Sequence, residues 1–76
     1  MELRHLITFK TIAENNSFKK AANILGYAQS TITSHIKLLE DEFNIKLFDR
    51  LGKQVKLTQF GENFIDHAKE MIELYE

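Results

Sequence analysis

Residues 29–35 read Gln-Ser-Thr-Ile-Thr-Ser-His, a run rich in hydrogen-bonding groups and without an acid. A solvated helix face ordinarily carries long charged side chains, as Glu40, Asp41 and Glu42 do one turn later. Short hydroxyls at Ser30, Thr31, Thr33 and Ser34 instead let a helix backbone come close to a polar surface. The Gln29 amide matches the N6 and N7 edge of adenine, and the methyl of Thr31 or Thr33 can pack on that of thymine. Lys37 closes the run with one cation. A second group, Arg50, Lys53 and Lys56, surrounds Gly52. Cations on a tight turn suit phosphates or a flanking minor groove. Taken singly, each feature has a plainer reading: a neutral solvent-facing helix, and a hairpin whose edge lysines deter aggregation. Together they describe recognition of double-stranded DNA.

Bond-making chemistry finds little support. His5, His35 and His67 fall on three different predicted helices, there is no cysteine, and no paired carboxylates stand ready to join them. Asp66, His67 and Glu70 share one helix turn, but exposed acidic helices produce such clusters by chance. Neither a catalytic site nor a metal or cofactor is expected. RNA fits less well than DNA, because the A-form major groove excludes a helix and no exposed aromatic platform is evident. The serious competitor is a protein-interaction module, which would favour a neutral or acidic face where residues 28–37 hold no acid.

The elements that must position these groups follow from apolar spacing. Leu3, Leu6, Ile7, Phe9, Ile12 and Ala13 predict a helix over Leu3 to Asn15. Ser17 can cap the next helix, whose stripe is Phe18, Ala21, Ala22 and Leu25, and Gly26 ends it in the left-handed conformation. A third helix is predicted from Ala28 or Gln29 to Glu42, burying Ile32, Ile36, Leu39 and Phe43 and stopped at Asn44. Leu47-Phe48 and Val55-Lys56-Leu57 then predict a two-stranded hairpin with Gly52 in its turn. Thr58 caps a last helix that reaches the C-terminus. Ala22, Gly26 and Ile32 meet the steric demands of two helices crossing closely through a short turn. The predicted fold is mainly α: a winged helix-turn-helix with a three-helix core, a two-stranded wing and a long C-terminal helix.

At 76 residues the chain makes one domain, with 43% hydrophobic residues to fill one core. Its net charge of −1 hides a segregation. Residues 1–37 carry +3, residues 38–45 carry −3, residues 46–58 carry +3 and residues 59–76 carry −4. DNA responds to the local field of a patch, so distribution outweighs the sum. No apolar run is long enough for a membrane span, and the absence of cysteine fits a reducing cytoplasm.

The chain resembles the LysR-type transcriptional regulators. Met-Glu-Leu-Arg-His-Leu at the start, Ser17-Phe18 with Ala21-Ala22, Gln29-Ser30, Ile36 with Leu39-Glu40, Leu47-Phe48 with Arg50, and Leu57-Thr58 with Gly61 carry the resemblance over essentially all 76 residues. It implies a bacterial cytoplasmic regulator in which residues 28–42 enter the major groove and residues 50–56 meet the minor groove or backbone. Its operator contacts would come from Gln29, Ser30, Thr31, Thr33, Ser34, Lys37, Arg50, Lys53, Lys56 and Ser17. Residues 1–58 would form the DNA-binding domain and residues 59–76 the start of a linker helix. An effector-binding domain that takes a small-molecule inducer would be absent. Linker helices pair two chains, so Phe64, Ala68, Met71, Ile72 and Tyr75 are expected at a homodimer contact, with a tetramer in the full-length protein. The apolar stripe supports this, because one helix on a small body rarely needs so much; beyond Ala68 the body should be left behind.

Three departures stand out. Ser30 replaces a common Pro, Ser34 replaces a common Arg whose groove contact would pass to Lys37 or His35, and Ala28 replaces a capping Ser.

Overall fold

The computed structural model describes residues 1–51 and 54–76, Leu51 by its backbone alone. The expected turn at Gly52 and Lys53 lies outside the described residues. Four helices and one hairpin follow in order: α1 (Leu3–Asn15), α2 (Phe18–Leu25), α3 (Gln29–Phe43), β1 (Phe48–Leu51), β2 (Gln54–Leu57) and α4 (Gln59–Tyr75).

Local chemistry sets the boundaries. Ser17 Oγ accepts the Lys20 N–H at 3.0 Å and starts α2, satisfying one of the donors that a helix start leaves unpaired. Gly26 ends α2 at φ +74° with its N–H donating to the Ala22 carbonyl. Asn16 and Asn44 close α1 and α3 in the same left-handed region, which asparagine tolerates better than most residues. Helix α3 begins at Ala28 without a side-chain cap, as the missing serine predicts. Thr58 does double duty: its Oγ1 donates to the Lys46 carbonyl at 2.7 Å and accepts the Gly61 N–H at 3.1 Å, tying α4 to the hairpin.

Helix α1 packs against α2, α3 and α4, and α2 against α3. The core joins Leu6, Phe9 and Ile12 of α1 to Ala21 and Ala22, to Ile32, Ile36 and Leu39, and to Leu47 and Phe48. Ala68 and Ile72 of α4 are buried in that same core. Phe9 lies 5.4 Å from Phe48 and 5.6 Å from Phe64, ring centre to ring centre, so the aromatic groups link first helix, wing and last helix. Gly61 is sterically required, since a Cβ there would drive into the Leu47 carbonyl oxygen.

The hairpin is antiparallel, pairing Phe48 with Leu57, Asp49 with Lys56 and Arg50 with Val55. Side chains alternate across a strand, so Phe48, Arg50, Val55 and Leu57 share the face turned to the body, and Asp49 and Lys56 share the other. The burial of β2 follows this alternation, with Val55 and Leu57 half-buried and Gln54 and Lys56 exposed.

Candidate nucleic-acid interface

Helix α3 turns Ile32, Ile36 and Leu39 inward and leaves Gln29, Ser30, Thr33, Ser34 and Lys37 exposed, with Thr31 half-buried on the flank. Thr33 Oγ1 donates to the Gln29 carbonyl at 3.1 Å, a bond within the helix that engages its hydroxyl hydrogen and leaves the methyl as its distinctive group. The Lys37 ammonium stands 3.5 Å from Asp41 in an exposed pair. Such pairs hold weakly and are screened by salt, so Lys37 can exchange a carboxylate for a phosphate at little cost.

His35 is not on this face. It is 7% exposed, its Nδ1 hydrogen-bonded to Thr8 Oγ1 at 2.8 Å. The His5 ring lies 4.8 Å away and the Tyr27 ring meets it edge-on at 5.3 Å. The expected transfer of a groove contact to His35 therefore fails: it is the polar member of the packing between α1 and α3. The three histidines lie on α1, α3 and α4, as expected, and two of them, His5 and His35, meet. Their rings are buried and tilted 42° to each other, and among the described residues no group of three metal-ligating side chains exists. Burial lowers the His35 pKa below its ordinary 6.5; His5 and Arg4 push the same way, and Glu2 opposes them.

Among the described residues, surface clefts open beside α3 and between α2 and the wing. One, of about 300 Å³, brings Gln29 and Arg50 together with Ser17, Phe18 and Lys19. A second, of about 380 Å³, gathers Ser17, Lys20 and Lys56 between the start of α2 and the wing. Ser17 thus belongs to both. Its oxygen accepts from Lys20, and its hydroxyl hydrogen remains available to donate to a phosphate. Lys19 and Lys20 were missed in the sequence because only the folded hairpin shows that α2 begins beside the wing. The third cleft, about 430 Å³, lies between α3 and β1 and mixes Lys37, Lys46 and Arg50 with Glu40, Asp41 and Asp49. It marks where the acid-free surface ends.

Glu40 belongs to the fold and not to the solvated acidic run. Its Oε2 accepts the Leu47 N–H at 2.7 Å, and Lys46 stands 3.8 Å from its other oxygen. Lys53 lies outside the described residues.

The residues expected at a dimer contact divide. Ala68 and Ile72 are buried and Phe64 and Met71 are partly buried, all against the chain's own core. Tyr75, 72% exposed, stands clear of it together with Leu74 at 87%. The body extends one turn further along α4 than expected: α4 packs along α1, and Ile72 is buried in the core.

Comparison with known proteins agrees with this geometry. The family described as "Bacterial regulatory helix-turn-helix protein, lysR family" matches residues 3–62. An uncharacterized HTH-type transcriptional regulator of Bacillus subtilis (strain 168), YwqM, is 50% identical over 76 residues, which is all of this chain and 26% of that protein. The BenM DNA-binding domain in its complex with catB site 1 DNA superposes with a TM-score of 0.93 at 39% identity, covering 99% of this chain and 83% of that one. Full-length CbnR complexed with target DNA gives a TM-score of 0.93 at 32% identity, covering 99% of this chain and 26% of that one. The chain therefore spans about a quarter of the length of the curated relatives it matches.

Proposed function

The chain belongs to the LysR family of bacterial helix-turn-helix regulators, and on that premise we propose that it binds operator DNA sequence-specifically through the N-terminal half of α3. The observation that carries the reading is the exposed, acid-free face from Gln29 to Lys37, bordered by Arg50 and by the Ser17, Lys20 and Lys56 cleft. Gln29 reads a base edge, with Ser30, Thr31, Thr33 and Ser34 close to the groove wall. Arg50, Lys20 and Lys56 neutralise phosphates and fix the register of the helix in the groove. Lys53, between β1 and β2 in the sequence, adds a cation.

One such surface carries few charges, so useful affinity comes from two copies on two half-sites. The pairing uses the end of α4, where Leu74 and Tyr75 project. The whole protein assembles as a dimer or tetramer in the cytoplasm and answers an inducer through a further domain. No helix among the described residues is long and apolar enough to cross a membrane.

Titration of a labelled duplex from the gene's own upstream region, at two salt concentrations and against a scrambled duplex, tests the reading. The expected result is tighter binding to the natural duplex and a steep loss of affinity with salt. Equal affinity for both duplexes, or indifference to salt, contradicts it. Replacing Leu74 and Tyr75 with Glu should shift the mass measured by sedimentation toward the monomer with the melting temperature unchanged. A mass insensitive to that change places the contact elsewhere.

A further inference from the structure

Phe18 opens α2, yet it reaches past its own helix. The ring is 7% exposed and meets the edge of Phe48 at 5.6 Å and 69°, so the core fixes its plane. The Arg50 guanidinium carbon sits 4.1 Å from the centre of that ring. Strand alternation explains how one aromatic touches both residues: Phe48 and Arg50 are two apart on β1 and share a face. Asp49, the carboxylate nearest in sequence, alternates to the other face opposite Lys56. None of the ion pairs among the described residues involves Arg50. Its guanidinium therefore sits over the ring and, among the described residues, has no carboxylate within ion-pair distance.

We propose that Phe18 is a positioning residue for DNA binding: its ring holds the Arg50 guanidinium beside Gln29, so wing cation and helix start meet the duplex as one unit. The shared cleft of Phe18, Gln29 and Arg50 supplies the juxtaposition. A guanidinium stacks flat on an aromatic face and still presents its edge donors outward, which an ammonium cannot do. An arginine ordered before binding also avoids the loss of side-chain freedom that an unrestrained one meets on contact. This inference rests on the DNA-binding reading above and adds a division of labour to it: a residue that contacts no DNA sets the geometry of one that does.

The test is a double-mutant cycle of Phe18→Leu and Arg50→Ala, read as affinity for the natural duplex at fixed salt, with the folded fraction of each variant checked by thermal melting. Phe18→Leu should weaken binding about two- to fivefold when Arg50 is present. It should have no further effect in the Arg50→Ala background, and Phe18→Tyr should bind like the unmodified chain. The same fold-loss from Phe18→Leu in both backgrounds would overturn the proposal, reducing Phe18 to a core residue. If Arg50→Ala alone leaves affinity and salt dependence unchanged, the reading of Arg50 as a DNA contact fails and takes the proposal with it. Should Phe18→Leu not fold, the unmodified free chain still decides by NMR. The Arg50 Cδ protons should then be shifted upfield relative to those of exposed Arg4, and coincident shifts would overturn the proposal.

Discussion

The two halves of α3 share one backbone helix and one buried stripe, yet they stand in opposite relations to the rest of the chain. From Glu40 onward the outer groups, apart from Asp41 in its exposed pair with Lys37, are tied to the rest of the chain. Glu40 holds the Leu47 N–H, Glu42 pairs with the N-terminal ammonium at 2.6 Å, and Asn44 closes the helix with its N–H donating to the Asp41 and Glu40 carbonyls. From Gln29 to Lys37 the outer groups are tied to nothing beyond their own helix. The first turn has no side-chain cap, the Thr33 bond is internal, and Lys37 is held only by an exposed acid. A helix that needed only to be stable would satisfy both ends alike. The difference teaches that the N-terminal half keeps its hydrogen-bonding capacity in reserve for a partner, while the C-terminal half anchors it.

Several substitutions break that contrast in opposite directions. Glu40→Ala strikes the anchored half: it strands a part-buried N–H and should cost about 1–3 kcal/mol of stability. A thermal melt should show it as a lower midpoint, with the affinity of the folded fraction for DNA unchanged. Gln29→Ala strikes the reserved half and should do the converse. Affinity for the preferred site should fall by about 1–3 kcal/mol with relaxed preference at one base pair, and stability should hold within about 0.5 kcal/mol. If Gln29→Ala weakens every duplex equally, Gln29 does not read a base.

Ala28→Ser sharpens the contrast by capping the open end. A hydroxyl there should stabilise the chain by about 1 kcal/mol, raising the melting midpoint by about 4–8 °C. No gain would mean that the start of α3 is already satisfied by another group.

The smallest effect is a pH slope. The folded His35 pKa lies below its ordinary 6.5, so the unfolded chain binds more protons once the pH nears that value. The stability tied to neutral His35 is complete above 6.5 and is lost as pH falls through 6.5 toward the lower folded value. Melting midpoints should decline over that window, and His35→Gln should flatten the decline. An unaltered slope in the variant would assign the decline to groups other than His35.

How far this contrast was legible in the sequence depends on the kind of signal. Boundaries set by local chemistry were readable because each needs only its neighbours: the Ser17 cap, Gly26 and Asn44 as left-handed stops, and Thr58. The exposed polar run was readable because an acid-free helix face is unusual. His35 was misread although its position was available. Counting from Ile32, residue 35 sits at the i+3 place of the buried stripe beside Ile36 and Leu39, and its polarity disguised that spacing. Thr8 hides in the same way between His5 and Phe9. What could not be read was distant. The Glu40 bond to Leu47 crosses a turn, the meeting of Lys20 with Lys56 requires the wing to fold back on α2, and the burial of Ile72 depends on how far α1 runs along α4.

Amide resonances followed through a titration with the natural duplex measure the central claim most directly, because they report both halves of α3 at once. The account predicts that the largest changes fall on Gln29 to Lys37, with Ser17, Lys20, Arg50 and Lys56, while Glu40 to Phe43 barely move. Changes centred on Glu40 to Phe43 or on α4, with Gln29 to Lys37 silent, would contradict it.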